Sequence, residues 1–369
     1  MTSLHELPTP CLLLDLDILA RNLARMANAV ARHPGVALRP HMKTAKCAEI
    51  ARIAAPNGGP ITVSTLAEAR HFAAHGFRDQ IYAVGITPAK LDAVATLNAA
   101  GNAVKVITDD LDTAAAIAAH PGRIEALIEV DVGEGRAGVS PNNAALFRVA
   151  AALGDRLAGV LSHSGHSYAG RSDAEMAEIA EAERAALTLA AARLRMAGRE
   201  VRIVSAGASP TAMHAAELSG ITELRAGVYM FGDLLQGQIG THPPDDIALT
   251  VLASVIGSYP ARGAVLIDAG ALALSKDRST EAAPRDWGFG RVLDLDGAAT
   301  LGEARVTRVH QEHGEVRAEG EDLPLDRLPV GARVRVQPNH ACLTAAAYDR
   351  YHLLRNGEVI GQWARVNHW

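Results

Sequence analysis

The chain has 369 residues, 49% of them apolar and 4% aromatic, with a formal net charge of −5. That length suits two domains with a large core. The charge, with no basic block, excludes a nucleic-acid or anionic-membrane binder, and no run of about 18 apolar residues marks a membrane span. The three cysteines, Cys11, Cys47 and Cys342, have no paired spacing, and the first residues lack the basic and apolar segments of a signal peptide. Both features point to a reducing, cytoplasmic setting.

In chain order, a first helix is predicted over 17–33, where Ile18, Leu19, Leu23, Met26 and Val30 keep a period near 3.6. Strand-like runs follow at 36–39, 61–64, 80–84, 103–107, 126–130, 158–162, 201–205 and 223–228. Helical patterns such as 66–75, 88–99, 112–120, 143–153 and 174–197 lie between them. Strands with helical crossovers predict an α/β fold with a parallel sheet. Eight strands are the number that closes a (β/α)8 TIM-type barrel. A doubly wound open sheet is the alternative, but no G-x-G-x-x-G follows the first strand. From about residue 245 the texture changes. Runs at 246–256, 263–270, 331–337 and 359–363 are divided by Gly, Pro and Asn and predict a mostly antiparallel β domain. The expected organisation is a barrel over 15–244 and a β domain over 245–369, with 1–14 as a candidate addition to the latter.

Lys43 lies just past the first barrel strand, in Pro40-His41-Met42-Lys43-Thr44-Ala45-Lys46. Such barrels keep their chemistry at the C-terminal strand ends. An amine there can form a Schiff base with a carbonyl compound or with pyridoxal phosphate (PLP), although most lysines are solvated surface charges. Polar clusters follow later strands: Asp131-Val132-Gly133-Glu134-Gly135-Arg136-Ala137-Gly138, Ser162-His163-Ser164-Gly165-His166-Ser167-Tyr168, Ser205-Ala206-Gly207-Ala208-Ser209-Pro210-Thr211 and Leu224-Arg225-Ala226-Gly227-Val228-Tyr229. Each alone is an ordinary loop; their succession converges them on one rim. Gly207-Ala208-Ser209 precedes a helix with Pro210 in its first turn, so backbone N–H groups and the Ser209 hydroxyl can bind an anion. Gly227 permits close backbone approach. The loops after strands seven and eight are the usual phosphate site of such barrels.

Downstream, Pro338-Asn339-His340-Ala341-Cys342 ends the strand-like run 334–337, and strand alternation would put His340 and Cys342 on one face. An imidazole and a thiolate can hold one Zn²⁺ and leave coordination positions open for catalysis. The competing reading is a buried cysteine beside a structural histidine. Gln311-Glu312-His313-Gly314 is a further polar cluster whose role its spacing does not assign.

With Leu7-Pro8-Thr9-Pro10, these motifs resemble the fold-type III PLP enzymes across nearly the whole chain. The likeness is to the D-serine dehydratase and D-threonine aldolase group, related to the N-terminal domain of alanine racemase. The D-serine and D-threo-3-hydroxyaspartate dehydratases are nearest. The resemblance implies that Lys43 is the catalytic Schiff-base lysine and that His340 and Cys342 are the metal pair. It makes Gly207, Ser209, Gly227 and Val228 the phosphate cradle. Arg136, His163 and Tyr168 would line the cofactor ring or substrate, and Arg225 would face the pyridine nitrogen. The aldolase branch usually has aspartate where Cys342 stands, so the sequence leans toward elimination, and the soft thiolate favours Zn²⁺. Ala45, Ala206, Ala208 and Ser209 depart from the family's usual pattern. The implied protein is a homodimeric lyase that takes a small β-hydroxy D-amino acid to a 2-oxo acid and ammonia. Retro-aldol cleavage, amino-acid racemisation and non-catalytic PLP binding are the alternatives.

Overall fold

The computed structural model describes residues 3–320 and 322–369. Two units emerge, one of Arg25–Gly227 with Val366–Trp369, the other of residues through Ala24 with Val228–Arg365. The chain begins with β1 (Cys11–Asp15), a strand of the second unit, and α1 (Leu16–Ala31). Asp15 starts that helix, its Oδ1 accepting the N–H groups of Asp17 and Ile18 at 2.9 Å each.

The first unit then alternates β2 (Ala37–Pro40), α2 (Ala48–Ala54), β3 (Ile61–Val63), α3 (Leu66–Ala74), β4 (Asp79–Gly85), α4 (Leu91–Ala99), β5 (Ala103–Thr108), α5 (Leu111–Ala119), β6 (Ala126–Glu129), α6 (Ala145–Leu153), β7 (Leu157–Leu161), α7 (Asp173–Met196), β8 (Ile203–Ala206), α8 (Ser209–His214) and β9 (Glu223–Ala226). Thr65, Asp110 and Ser172 cap α3, α5 and α7 by accepting the N–H of the residue three ahead. The eight strands pair in parallel in the order β2-β9-β8-β7-β6-β5-β4-β3. A parallel bridge between His41 and Thr62 joins the two ends, and the Met42 N–H donates to Thr62 O at 2.8 Å. The sheet therefore closes as the expected TIM-type barrel. Ile81, Ile107, Leu127, Ala158 and Leu161 form one buried cluster of its strands.

The second unit adds α9 (Leu234–Gln238), β10 (Leu249–Tyr259), β11 (Ala264–Ile267), α10 (Ala271–Leu274), β12 (Arg291–Leu293), β13 (Ala304–Val309), β14 (Gly314–Ala318), β15 (Arg333–Gln337), α11 (Ala341–Ala345), β16 (Arg350–Arg355) and β17 (Glu358–Ala364). Its 9-stranded sheet runs β11-β14-β13-β12-β15-β10-β1-β16-β17, antiparallel throughout except for β1 beside β16. Leu7, Cys11, Leu13, Leu252, Leu354 and Val359 pack together in it. The sequence pattern missed β12, β13, β14 and β16, because their arginines and glutamates break the apolar runs it relies on. All three cysteines are free, and no helix among the described residues is long and apolar enough to cross a membrane.

Candidate active site

Past β2 the chain turns over residues 42–45, then Lys46 takes a left-handed conformation with φ 49°. Met42, Thr44 and Ala45 are buried while Lys43 is exposed. Gly227 allows this turn to settle: a Cβ there would lie 2.8 Å from both His41 O and Thr44 Oγ1. The two lysines of the motif differ in kind. Lys46 Nζ stands 3.1 Å from Glu68 Oε1, a fully buried carboxylate that also accepts the Ser64 N–H (3.0 Å) and hydroxyl (2.8 Å). Lys43 forms no ion pair among the described residues.

Around Lys43 the fold gathers His41, His163, Arg136 and Arg225, which act on one another electrostatically. Burial, then Lys43, Arg225 and His163, pushes the His41 imidazole well below its ordinary range. Burial, then Lys43 and Arg136, pushes His163 down to about 3. Both rings are therefore neutral at pH 7. His163 Nδ1 donates to Gly207 O (3.2 Å), which leaves Nε2 with the lone pair. Arg225 is buried: Nη1 donates to Ser205 O (2.8 Å) and Oγ (2.7 Å), and Nη2 donates to Ser162 O. Burial lowers its pKa to about 10, so it stays charged. Arg136 is exposed, 3.5 Å from carboxylate oxygens of Glu129 and Glu134, and burial raises the pKa of Glu129. Tyr168 sits half-buried in the short turn Gly165–Ala169 after β7.

The loop after β8 packs tightly against β9 because of Gly207. Its φ is +141°, and a Cβ would fall 2.0 Å from Arg225 O. Ser209, buried, opens α8 with Pro210 beside it. The Gly207 N–H is already donated to Glu183 Oε1 (2.9 Å), and the Ala208 N–H points to Thr211 Oγ1 (3.2 Å). Val228 is buried at the start of the turn Val228–Met230. Sequence reasoning missed Glu183. It lies on the buried face of α7 with Met176, Ala180, Leu187 and Leu194, and it also accepts the hydroxyls of Ser162 (2.6 Å) and Thr211 (3.0 Å). The available signal was an acidic residue at an inward helical position.

In the β unit, His340 and Cys342 come together, but not by strand alternation. β15 stops at Gln337; His340 is the extended residue before α11, and Cys342 is in the helix's first turn. Helix entry folds the thiol back to within hydrogen-bond reach of the imidazole. Burial alone would lower the His340 pKa, but Cys342 and Asp233 outweigh it and hold the imidazole up at about 11. His340 Nδ1 lies 3.3 Å from Asp233 Oδ2, so Nε2 is the nitrogen whose proton a metal would displace. Asp233, also missed from sequence, carried the weak signal of an acidic residue directly before Leu234-Leu235, a helix cap. No group of three or more metal-binding side chains exists among the described residues. An imidazole and a half-buried thiol remain as a two-donor set, which suits a thiophilic divalent ion with open positions.

Residues 14–234 match the family described as "Alanine racemase, N-terminal domain", and residues 248–354 match "Putative serine dehydratase domain". D-threo-3-hydroxyaspartate dehydratase of Delftia sp. (strain HT23) is 41% identical over 382 residues, covering 100% of this chain and 99% of the relative. Its solved structure covers all of both chains with TM-score 0.96 at 38% identity. A D-threonine aldolase of Arthrobacter sp is 32% identical over 377 residues, 98% of this chain and 92% of that one.

Proposed function

The chain belongs to the D-serine dehydratase-like family of fold-type III PLP enzymes, and from that premise we infer that it is a PLP- and metal-dependent lyase that eliminates water from a β-hydroxy D-amino acid. The products are a 2-oxo acid and ammonia. The observation that carries this reading is Lys43. It is an exposed amine with no ion pair among the described residues, at a barrel rim whose arginines and Lys46 are all engaged.

When bound, PLP supplies an electron sink and the divalent metal, Zn²⁺ given the thiolate, supplies a Lewis acid for a hydroxide leaving group. Lys43 would hold PLP, and the backbone of Ser209 and Val228, beside the tight turns that Gly207 and Gly227 permit, would hold its phosphate. Because Glu183 takes the Gly207 N–H, Ser209 carries more of that task. Neutral His163, Arg136 and Tyr168 would line the ring or substrate. Arg225, tied by Ser162 and Ser205 and still a cation, would face the pyridine nitrogen and keep a proton off it. Lys43 Nζ is the base that takes the α-proton of the substrate. His340 and Cys342 would hold the metal. We further propose a cytoplasmic homodimer that binds neither nucleic acid nor membrane; three free cysteines fit a reducing compartment, and a net charge of −5 argues against polyanionic partners.

The aldolase relative makes retro-aldol cleavage the competing reading, and Cys342, where that branch usually has aspartate, weighs against it. Incubation with D-serine, D-threonine and D-threo-3-hydroxyaspartate separates the outcomes. Keto acid with ammonia is expected. Glycine with an aldehyde would make the enzyme an aldolase, the L-enantiomer a racemase, and no product a PLP-binding protein.

A further inference from the structure

His340 occupies the N-cap position of α11, with φ −131° and ψ 109°, yet its side chain makes no capping hydrogen bond. The orphan N–H of Ala341 is served from 108 residues away, by Asp233 Oδ2 at 3.0 Å. That same oxygen is the one 3.3 Å from His340 Nδ1, while Oδ1 accepts the Gln236 N–H (2.8 Å) and caps α9. Asp233 is fully buried. Its backbone is fixed in turn by His242, whose Nδ1 donates to Pro243 O (2.6 Å), so that Nε2 accepts the Asp233 N–H (3.2 Å). Gly232 has φ +65°, and a Cβ there would meet His242 Nε2 at 2.6 Å and Asp246 O at 2.8 Å. The carboxylate is therefore held in place by groups that do not themselves bind a metal.

We propose that Asp233 is a positioning residue for the metal: by holding the Nδ1 proton of His340 it makes Nε2 the nitrogen that gives up its proton to a metal, and by capping α11 it leaves His340 at liberty to ligate beside Cys342. The inference rests on the reading of His340 and Cys342 as the metal pair. Outer carboxylates of this kind typically set metal affinity by 10–100-fold.

The test uses the PLP-loaded enzyme, stripped of metal and titrated with Zn²⁺ against a chromophoric chelator. Asp233→Asn keeps a good N-cap for α9 but removes the charge, and Asp233→Ser caps α9 while giving up the second oxygen. Both are expected to bind Zn²⁺ about 10–100-fold more weakly than wild type. The thiolate-to-metal absorbance of their Co²⁺-loaded forms should shift while the visible spectrum of bound PLP stays unchanged, and the loss of a cap or of the buried charge lowers the melting temperature of both variants. A purely structural role for Asp233 would lower melting without moving the cobalt spectrum, and that result overturns the proposal. Wild-type-like zinc binding in D233N and D233S, with His340→Ala deficient, overturns it alone. Equal zinc binding by H340A and wild type overturns the metal-pair reading and the inference with it.

Discussion

At the N-terminal ends of the barrel strands, the buried charges are answered in pairs. Arg39 Nε lies 2.8 Å from Glu223 Oε2, and its two Nη groups lie 3.2 and 3.3 Å from the Asp79 oxygens. Lys105 Nζ reaches Asp79 Oδ1 at 2.8 Å. Glu223 and Asp79 are the first residues of β9 and β4. Burial alone would lower the Arg39 pKa and raise that of Asp79, but their mutual charge wins, so Arg39 goes up and Asp79 down. At the C-terminal ends the balance is reversed. Lys43 has no counter-ion among the described residues, and its charge helps burial to keep His41 and His163 neutral. The same residue types thus serve opposite purposes at the two ends. Paired charge at one end holds strands together, and Lys43, left without a local counter-ion at the other, leaves room for an anionic cofactor and substrate.

The sharpest way to break this contrast is Lys43→Ala. Turnover should fall by at least about 10²–10⁴-fold, because both the cofactor anchor and the base are removed. The visible absorbance of bound PLP should vanish. Stability, read by denaturant unfolding, should stay within about 0.5 kcal/mol, since the removed side chain is exposed and unpaired. A surviving visible band would mean that another residue anchors the cofactor.

Arg39→Met at the opposite end should do the reverse. It strands Glu223, a nearly buried carboxylate, and half-exposed Asp79, at a cost of about 3–5 kcal/mol. The kcat of the protein that remains folded should stay near wild type. A large loss of kcat without loss of stability would show that this end also takes part in chemistry.

Much of this division could be read from residue order. Most of the eight barrel strands announce themselves because they are buried and written as short apolar runs, while β2 and β9 carry a buried arginine each. Lys43, Gly207 and Gly227 stood out because their loops follow successive strands and so converge on one rim, although each alone reads as an ordinary loop. Glu183 and Asp233 stayed hidden for a physical reason. An acidic residue on a helix or at its cap is ordinarily solvated, and only the tertiary fold brings Ser162, Gly207 and Thr211 to the first, and Ala341 and His340 to the second. The metal pair was legible as a pair, but its geometry was not. Gln337 ends the strand and the chain enters α11, so helix entry does what alternation was expected to do.

The smallest effect concerns acid. His163 is held down to about 3 by burial and by Lys43 and Arg136, against an ordinary value of 6.5. Between those values the unfolded chain takes up a proton that the native barrel refuses, so stability is full above about pH 6.5 and falls as the pH drops toward about 3. The slope from this one group is at most about 1.4 kcal/mol per pH unit, and His41 adds to it in the same direction. Asp79 works differently. Its depressed pKa contributes stability that is present above its ordinary 3.8 and lost only as the pH falls below that, so the lower end is silent between pH 6.5 and 4.5. Urea unfolding across that window reports the rim together with His71 and His352, whose pKa values burial also lowers, and His163→Gln isolates the rim's share by reducing the slope by about 1 kcal/mol per unit. An unchanged slope in H163Q would mean that His163 accepts its proton within the fold, and that Lys43 and Arg136 do not charge the rim as strongly as their placement requires.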